Sequence, residues 1–245
     1  MATRSRDNTA EIHRRLREAI LHGALTAGSE LSQVKLADEF GVSRGPVREA
    51  LRLLEREGLV EAELNRRVRV ASFSPGDLEE LYALRIVNEA LGIRATVPHL
   101  TAEDVASLHA DIERMESLAG TEVGLWEPVH RHFHHTLIAY SGSRIVRLAE
   151  QLSDHAERYR LVYVTQDPRA WSVGAAEHRE IVAACDAGDP VAAADALARH
   201  LARTAGSVLM HVAPDHDPSL VRSAVRAASS TEPATRPLRV ASQRT

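Results

Sequence analysis

The chain has 245 residues, 44% of them hydrophobic but only 4% aromatic, and a formal net charge of −4 at pH 7. That length accommodates two ordinary domains, and the abundance of Ala and Leu, both strong helix formers, points to a mostly α-helical protein. The single cysteine, Cys185, excludes an internal disulfide framework and fits a reducing compartment. The opening MATRSRDNTAEIHRR lacks an apolar signal core and no run of 18 apolar residues occurs, so a cytoplasmic location is expected. The net charge hides an asymmetry: residues 1–72 carry +2, residues 73–211 carry −8 and residues 212–245 carry +2. A mildly basic head on an acidic body suits a small nucleic-acid-binding module joined to a domain with another task.

In chain order, Asn8 followed by Glu11 resembles a capping box, and Ile12, Leu16, Ala19 and Ile20 recur at helical spacing up to Gly23. Ser32 is placed to cap a second helix with Leu36, Ala37 and Phe40 on one face, stopped at Gly41. After the short turn Val42-Ser43, Ser43 opens a third helix whose buried stripe is Val47, Ala50, Leu51 and Leu54. Pro46 is tolerated there because it lies in the first turn. Gly58 ends that helix. Residues 59–62 and 68–71 then read as two short strands around a polar turn at Asn65-Arg66, a β-wing.

Ser74-Pro75-Gly76-Asp77 is a break followed by a helix start, so the expected division is a winged helix-turn-helix over residues 1–73 and a second unit over residues 74–211. No strand pattern appears in the second unit. Six helical stripes do, and an antiparallel helical bundle is the economical architecture. From Ala213 onward Pro, Ser, Thr and Arg dominate, and residues 212–245 are expected to form a disordered tail.

Residues 36–60, LADEFGVSRGPVREALRLLEREGLV, contain the ordered run Ser43-Arg44-Gly45-Pro46-Val47-Arg48-Glu49-Ala50-Leu51. This segment resembles the winged helix-turn-helix of the GntR family of regulators. The physics agrees with that resemblance: a recognition helix presents its N-terminal residues to base edges in the major groove, where an arginine bonds guanine as a bidentate pair. Arg44 and Arg48, four apart and opposite the Val47/Leu51 stripe, are the expected base readers. Ser43 is assigned to phosphate, and Gly45 allows close backbone approach. The alternative is that both arginines merely solvate the helix and pair with Glu49 or Glu55. In the wing, Asn65, Arg66 and Arg67 are candidates for the minor groove, with Arg67 standing where the family usually has glycine.

The second unit resembles the FCD-type domain of the FadR-like branch of the family. The landmarks are Arg85 and Glu89, His130-x-x-Phe133-His134, Glu177-His178-Arg179-x-Ile181, and His200. The resemblance implies a divalent metal in the bundle, held by four histidines (His130, His134, His178 and His200) or by three with His130 aside, since His130 replaces the family's aspartate. Spacing alone agrees: residues 130 and 134 share a helix face, and His178 and His200 lie within apolar stripes. Hydrogen-bonded core histidines are the bland alternative. Loss of the carboxylate favours zinc first, with nickel or copper as alternatives. Arg85, in an inward-facing stripe, needs neutralising by Glu89 or by an anionic effector. The expected function is therefore a homodimeric repressor of a palindromic operator, controlled by a small organic acid near the metal. A sensor of the metal itself is one rival, and a metal-dependent enzyme is another.

Overall fold

The computed structural model describes residues 2–21, 23–62, 67–120, 123–167 and 169–229. The head comprises α1 (Ala2–Leu21), β1 (Glu30–Leu31), α2 (Gln33–Glu39), α3 (Arg44–Arg56), β2 (Val60–Ala62) and β3 (Val68–Val70). A mostly helical winged helix-turn-helix is what the sequence predicts. Two local details differ. No glycine or proline interrupts residues 2–8, so α1 begins at Ala2, Asn8 lies inside it rather than at its cap, and Glu11 pairs with Arg14. A third strand, β1, is added to the wing. It is only two residues long and pairs antiparallel with β3 (Glu30 opposite Arg69, Leu31 opposite Val68), giving the order β1-β3-β2.

Ile12 and Leu16 of α1 pack with Val47, Ala50, Leu51 and Leu54 of α3 in a small core that Leu31, Val60, Val68 and Val70 close from the sheet side. A glycine is required at Gly58, where φ is +66° and a Cβ would stand 3.0 Å from the His155 ring of the second unit. The two units meet there. His155 donates from Nε2 to the Arg56 carbonyl at 2.8 Å, and Phe73 meets Tyr159 edge-on at 5.4 Å.

Six long helices follow: α4 (Pro75–Thr96), α5 (Ala102–Leu118), α6 (Val123–Ile138), α7 (Ser143–Gln166), α8 (Ala170–Asp186) and α9 (Pro190–Val212). Ser74 caps α4 by accepting from the Asp77 N–H, and Thr101 and Asp104 form a reciprocal capping box on α5. Leu78, Tyr82, Ile86 and Ile93 are completely buried, and α4 packs against α6, α7 and α9 as the central helix. A Cβ on Gly92 would come within 2.8 Å of Ile138, so glycine sets how closely α4 and α6 approach. No helix among the described residues is long and apolar enough to cross a membrane.

The expected disordered tail is corrected over residues 219–229. A further helix, α10 (Ser219–Ser229), lies against α4 and α9 and buries Val221, Ala224 and Ala228, a stripe of small residues at helical spacing. Glu79 of α4 holds its start, accepting from the Leu220 N–H at 2.6 Å and pairing with His216 at 2.8 Å, and Arg94 bonds the Ala228 carbonyl near its end. Residues 230–245 lie outside the described residues. Truncation after residue 213 should therefore cost about 1–3 kcal/mol, a Tm loss of roughly 2–10 °C, whereas truncation after residue 229 should cost little. Thermal melts of the two truncations compared with the full chain test this, and equal Tm values would remove α10 from the folded core.

Candidate metal and effector centre, and the DNA-reading face

Two helix turns and two further helices converge on one point inside the bundle. His130 and His134 project from the same face of α6, His178 comes from α8 and His200 from α9, and all four are buried. Each offers a ring nitrogen within 4.8 Å of the others. The His130 and His134 ring centroids are 4.5 Å apart, and those of His178 and His200 are 4.7 Å apart.

Two carboxylates stand behind this cluster. Glu89 Oε2 accepts from His134 Nδ1 at 3.2 Å, and Glu177 Oε2 accepts from His200 Nδ1 at 2.8 Å. A carboxylate bonded to one nitrogen fixes the tautomer and turns the other nitrogen inward, which is the usual backing of a metal-bound histidine. Three buried ring nitrogens, His130 Nδ1, His134 Nε2 and His178 Nε2, have no hydrogen-bond partner. Buried polar atoms are rarely left so. Imidazole nitrogens clustered this closely, with backing acceptors, fit a divalent metal of borderline softness better than they fit a hydrogen-bonded core.

Burial is the first cause of the electrostatics. Desolvation pushes His130 and His178 well below the ordinary imidazole value, and it lowers His134 to about 4 and lowers His200, with Glu89 and Glu177 respectively opposing. Burial alone would raise Glu89, but the charge of Arg85 and the bond from His134 hold it at about 2. All four imidazoles are thus neutral at pH 7, as metal binding requires.

Arg85 is buried, with its Nε donating to Glu89 Oε1 at 2.8 Å and its guanidinium 5.2 Å from the Tyr82 ring. Its second nitrogen, NH2, has no partner, nor has the Tyr82 hydroxyl. Glu89 thus serves both Arg85 and His134, where the sequence predicts only the first. Arg85, Tyr82 and the four histidines line a cavity of about 50 Å³.

Several residues of the centre were not foreseen. Glu177, adjacent to His178 in sequence, backs His200 and grips Arg203. Arg160 lines the cavity in a buried pair with Glu127, and Trp126 stacks on His130 at 4.4 Å. The charged partners are 23–33 residues apart, so no local spacing announces them, whereas Trp126 stands one helical turn before His130.

Ion pairs continue from this centre to the head. Glu127 meets Arg131 at 3.5 Å, Arg131 meets Glu157 at 3.2 Å, Glu157 pairs with Arg17 of α1, Arg17 bonds Glu57 at 3.1 Å, and Glu57 bonds His13 at 2.6 Å. An unbroken line of charge pairs therefore runs from the cavity wall at Arg160 to α1 and the end of α3.

On the opposite side of the head, Ser43, Arg44 and Arg48 are exposed at the start of α3, and Gly45 is half-buried between them. Ser43 occupies the N-cap position, but its hydroxyl makes no cap bond. Among the described residues neither Arg44 nor Arg48 has a carboxylate partner, since Glu49 pairs instead with Arg52 at 3.6 Å. Both arginines line an open groove between α3 and the wing strands. Arg67 is exposed beside Glu30 at 4.0 Å, and Asn65 and Arg66 lie outside the described residues.

Known proteins give the same picture. Residues 8–70 match the family described as bacterial regulatory proteins, gntR family, and residues 80–203 match the FCD domain. The chain is 31% identical to the HTH-type transcriptional regulator YdhC of Bacillus subtilis, over 70% of this chain and 77% of that one. It is 28% identical to the HTH-type transcriptional repressor GlaR of Escherichia coli, over 77% and 90%. Among solved structures, a GntR family member from Pseudomonas syringae pv. tomato is 31% identical, over 84% of this chain and 86% of that one, with a TM-score of 0.50. A GntR regulator from Rhodococcus sp. RHA1 is 28% identical, over 83% and 98%, with a TM-score of 0.61. The chain belongs to the GntR family of bacterial transcriptional regulators, in the branch that carries an FCD domain. It is a DNA-binding regulator, which sets aside the reading as a metal-dependent enzyme.

The buried histidines give a pH signature. Their folded values lie below the ordinary 6.5, so the unfolded chain binds protons that the fold refuses. The metal-free protein should hold its full stability above pH 7 and lose it as pH falls from 6.5 to about 4, by up to about 1.4 kcal/mol per pH unit for each imidazole. Denaturant unfolding in chelator across that range checks this, and a flat profile would mean that the histidines are not buried as neutral groups.

Proposed function

We propose that the protein is a ligand-controlled repressor whose FCD domain holds a zinc ion and a small carboxylate. One observation carries this reading. Unpartnered ring nitrogens of His130, His134 and His178 and the unpartnered edge of Arg85 face one small buried cavity. His134, His178 and His200 would hold the metal, with His130 as the fourth donor or standing aside for the carboxylate. Zinc suits nitrogen donors without an aspartate, with nickel or copper next. Bound there, the metal would supply a fixed positive charge, and Arg85 would offer the carboxylate's second oxygen a donor.

In the head, Arg44 and Arg48 would read bases, Ser43 and the start of α3 would hold a phosphate, Gly45 would let the backbone approach, and Arg67, with Asn65 and Arg66, would enter the minor groove. The boundaries 1–73 and 74–211 fit the two apolar clusters, with α10 added to the second unit. A second copy of the chain is the natural partner of α4, which exposes Leu84, Val87 and Leu91 along one stripe, and two copies match a palindromic operator. Such a protein works on DNA in the cytoplasm. The charge-pair line ending at Arg17 would carry the state of the cavity to α1.

Arg48→Ala should weaken binding to a selected operator by about 1–3 kcal/mol and relax preference at one base per half-site. An equal loss on random DNA would make Arg48 a phosphate contact. His178→Ala and His200→Ala should each release the metal and lower Tm, because metal bound only by the fold stabilises it by mass action; stoichiometric zinc in both variants would refute the centre. Removing Arg85 alone would strand Glu89, so the informative variant is Arg85→Met with Glu89→Gln, which removes both charges and keeps an acceptor for His134. That variant should fold and keep operator affinity while losing any response to added acetate. A retained response would put the anion elsewhere.

A further inference from the structure

Resting on that reading, we infer that the effector is a short-chain monocarboxylate with a hydrocarbon tail, carrying no second charge and no hydroxyl beyond the carbon next to its carboxylate. The count of free donors comes first. Three guanidiniums line the cavity, but two are already committed. Arg160 bonds Glu127 through Nε and NH2 and the Ser153 carbonyl through NH1. Arg203 bonds Glu177 through Nε and NH2 and the Tyr163 hydroxyl through NH1. Among the described residues, Arg85 alone of the three has a buried nitrogen without a partner, and the Tyr82 hydroxyl joins it as a free donor, while the remaining carboxylate on the wall, Glu116, is engaged in an ion pair with Arg179. One carboxylate and at most one adjacent hydroxyl can therefore be satisfied.

Most of the rest of the wall is apolar. Ile112, Met115, Trp126, Val164, Trp171 and Leu201 face the same space. A second carboxylate or a chain of hydroxyls pressed against them would be desolvated without partners, a penalty worth about tenfold or more in affinity for each group. Volume favours a short tail. A cavity of ~150 Å³ is what a benzene ring fills. This one offers about 50 Å³, room for a few carbon atoms and not for a ring.

The chain's two tryptophans, Trp126 and Trp171, both line the cavity and touch edge-on at 5.3 Å, so intrinsic tryptophan emission reports on this site alone. The experiment titrates zinc-loaded full-length protein with matched acids, read by tryptophan emission and Tm. Propionate is compared with glycerate (three carbons each), butyrate with succinate (four carbons each), and benzoate and citrate are added. Propionate and butyrate should bind at least about tenfold tighter than their matched polar partners, with benzoate and citrate weakest. Trp171→Ala should shift the preferred tail towards hexanoate, and Ile112→Ala should do the same if the first variant folds poorly. Succinate or glycerate binding as well as its partner, or a preference for benzoate, overturns the assigned class while leaving a metal-and-carboxylate site standing. Failure of every acid, acetate included, to move emission or Tm overturns the site itself and this inference with it.

Discussion

Glu89 is the group on which the interior of the second unit depends. It sits in a nearly dry core, where an isolated carboxylate would take up a proton, and it stays ionised because one oxygen meets Arg85 and the other meets His134. That single side chain compensates the guanidinium on its own helix, ties α4 to α6, and sets which nitrogen of His134 faces the cavity. Glu177 repeats the arrangement between α8 and α9, shared by His200 and Arg203. Truncating either acid would leave an unpaired cation, fully buried at Arg85 and half-buried at Arg203, and a misdirected imidazole at once, so these carboxylates are as much a part of the centre as the histidines they orient.

Charge pairing also links the two units. The apolar contact between them is modest, and what crosses the boundary is mostly polar: His155 on the Arg56 carbonyl, and Arg17 shared between Glu57 and Glu157. Arg131 lies behind Glu157 and also reaches Asp154 and Glu127. A network in which each acid serves two bases has alternative pairings of similar energy. A packed apolar boundary has one. If the cavity's occupant changes how Glu127 divides itself between Arg160 and Arg131, the redistribution has a physical route to Arg17 on α1, and α1 packs directly on the recognition helix through Ile12 and Leu16.

Legibility from the sequence followed the range of the interactions involved. The head could be read because its information is local: Ser43 to Leu51 specify cap, stripe and exposed arginines within nine residues, and Gly41 and Gly58 punctuate the helices at positive φ. β1 escaped because Glu30-Leu31 is too short to show alternation, and its existence is decided by β3 across the wing. His178 and His200 could be read because each interrupts an apolar stripe with a polar ring. Glu177, Glu127 and Arg160 could not, since their roles exist only once helices distant in sequence pack together. α10 was hidden by composition. Its buried positions Val221, Ala224 and Ala228 are small and sit among Ser and Arg, so the segment reads as polar until Glu79 and the surfaces of α4 and α9 are present to receive it.

On the proposed reading, the balance of charge makes a metal in this site and an anionic ligand mutually supportive. Among the residues lining the centre, Arg85, Arg160 and Arg203 are matched one for one by Glu89, Glu127 and Glu177, and the four histidines are neutral. The protein alone is therefore balanced. A divalent ion adds two positive charges to a desolvated interior with no carboxylate left to answer them, and an uncompensated buried charge is costly. A carboxylate ligand removes half of that excess, so on the proposed reading each partner binds more tightly in the presence of the other, by the same factor in both directions. This coupling needs no conformational change, since it follows from a donor set of four neutral imidazoles with no anionic ligand among them.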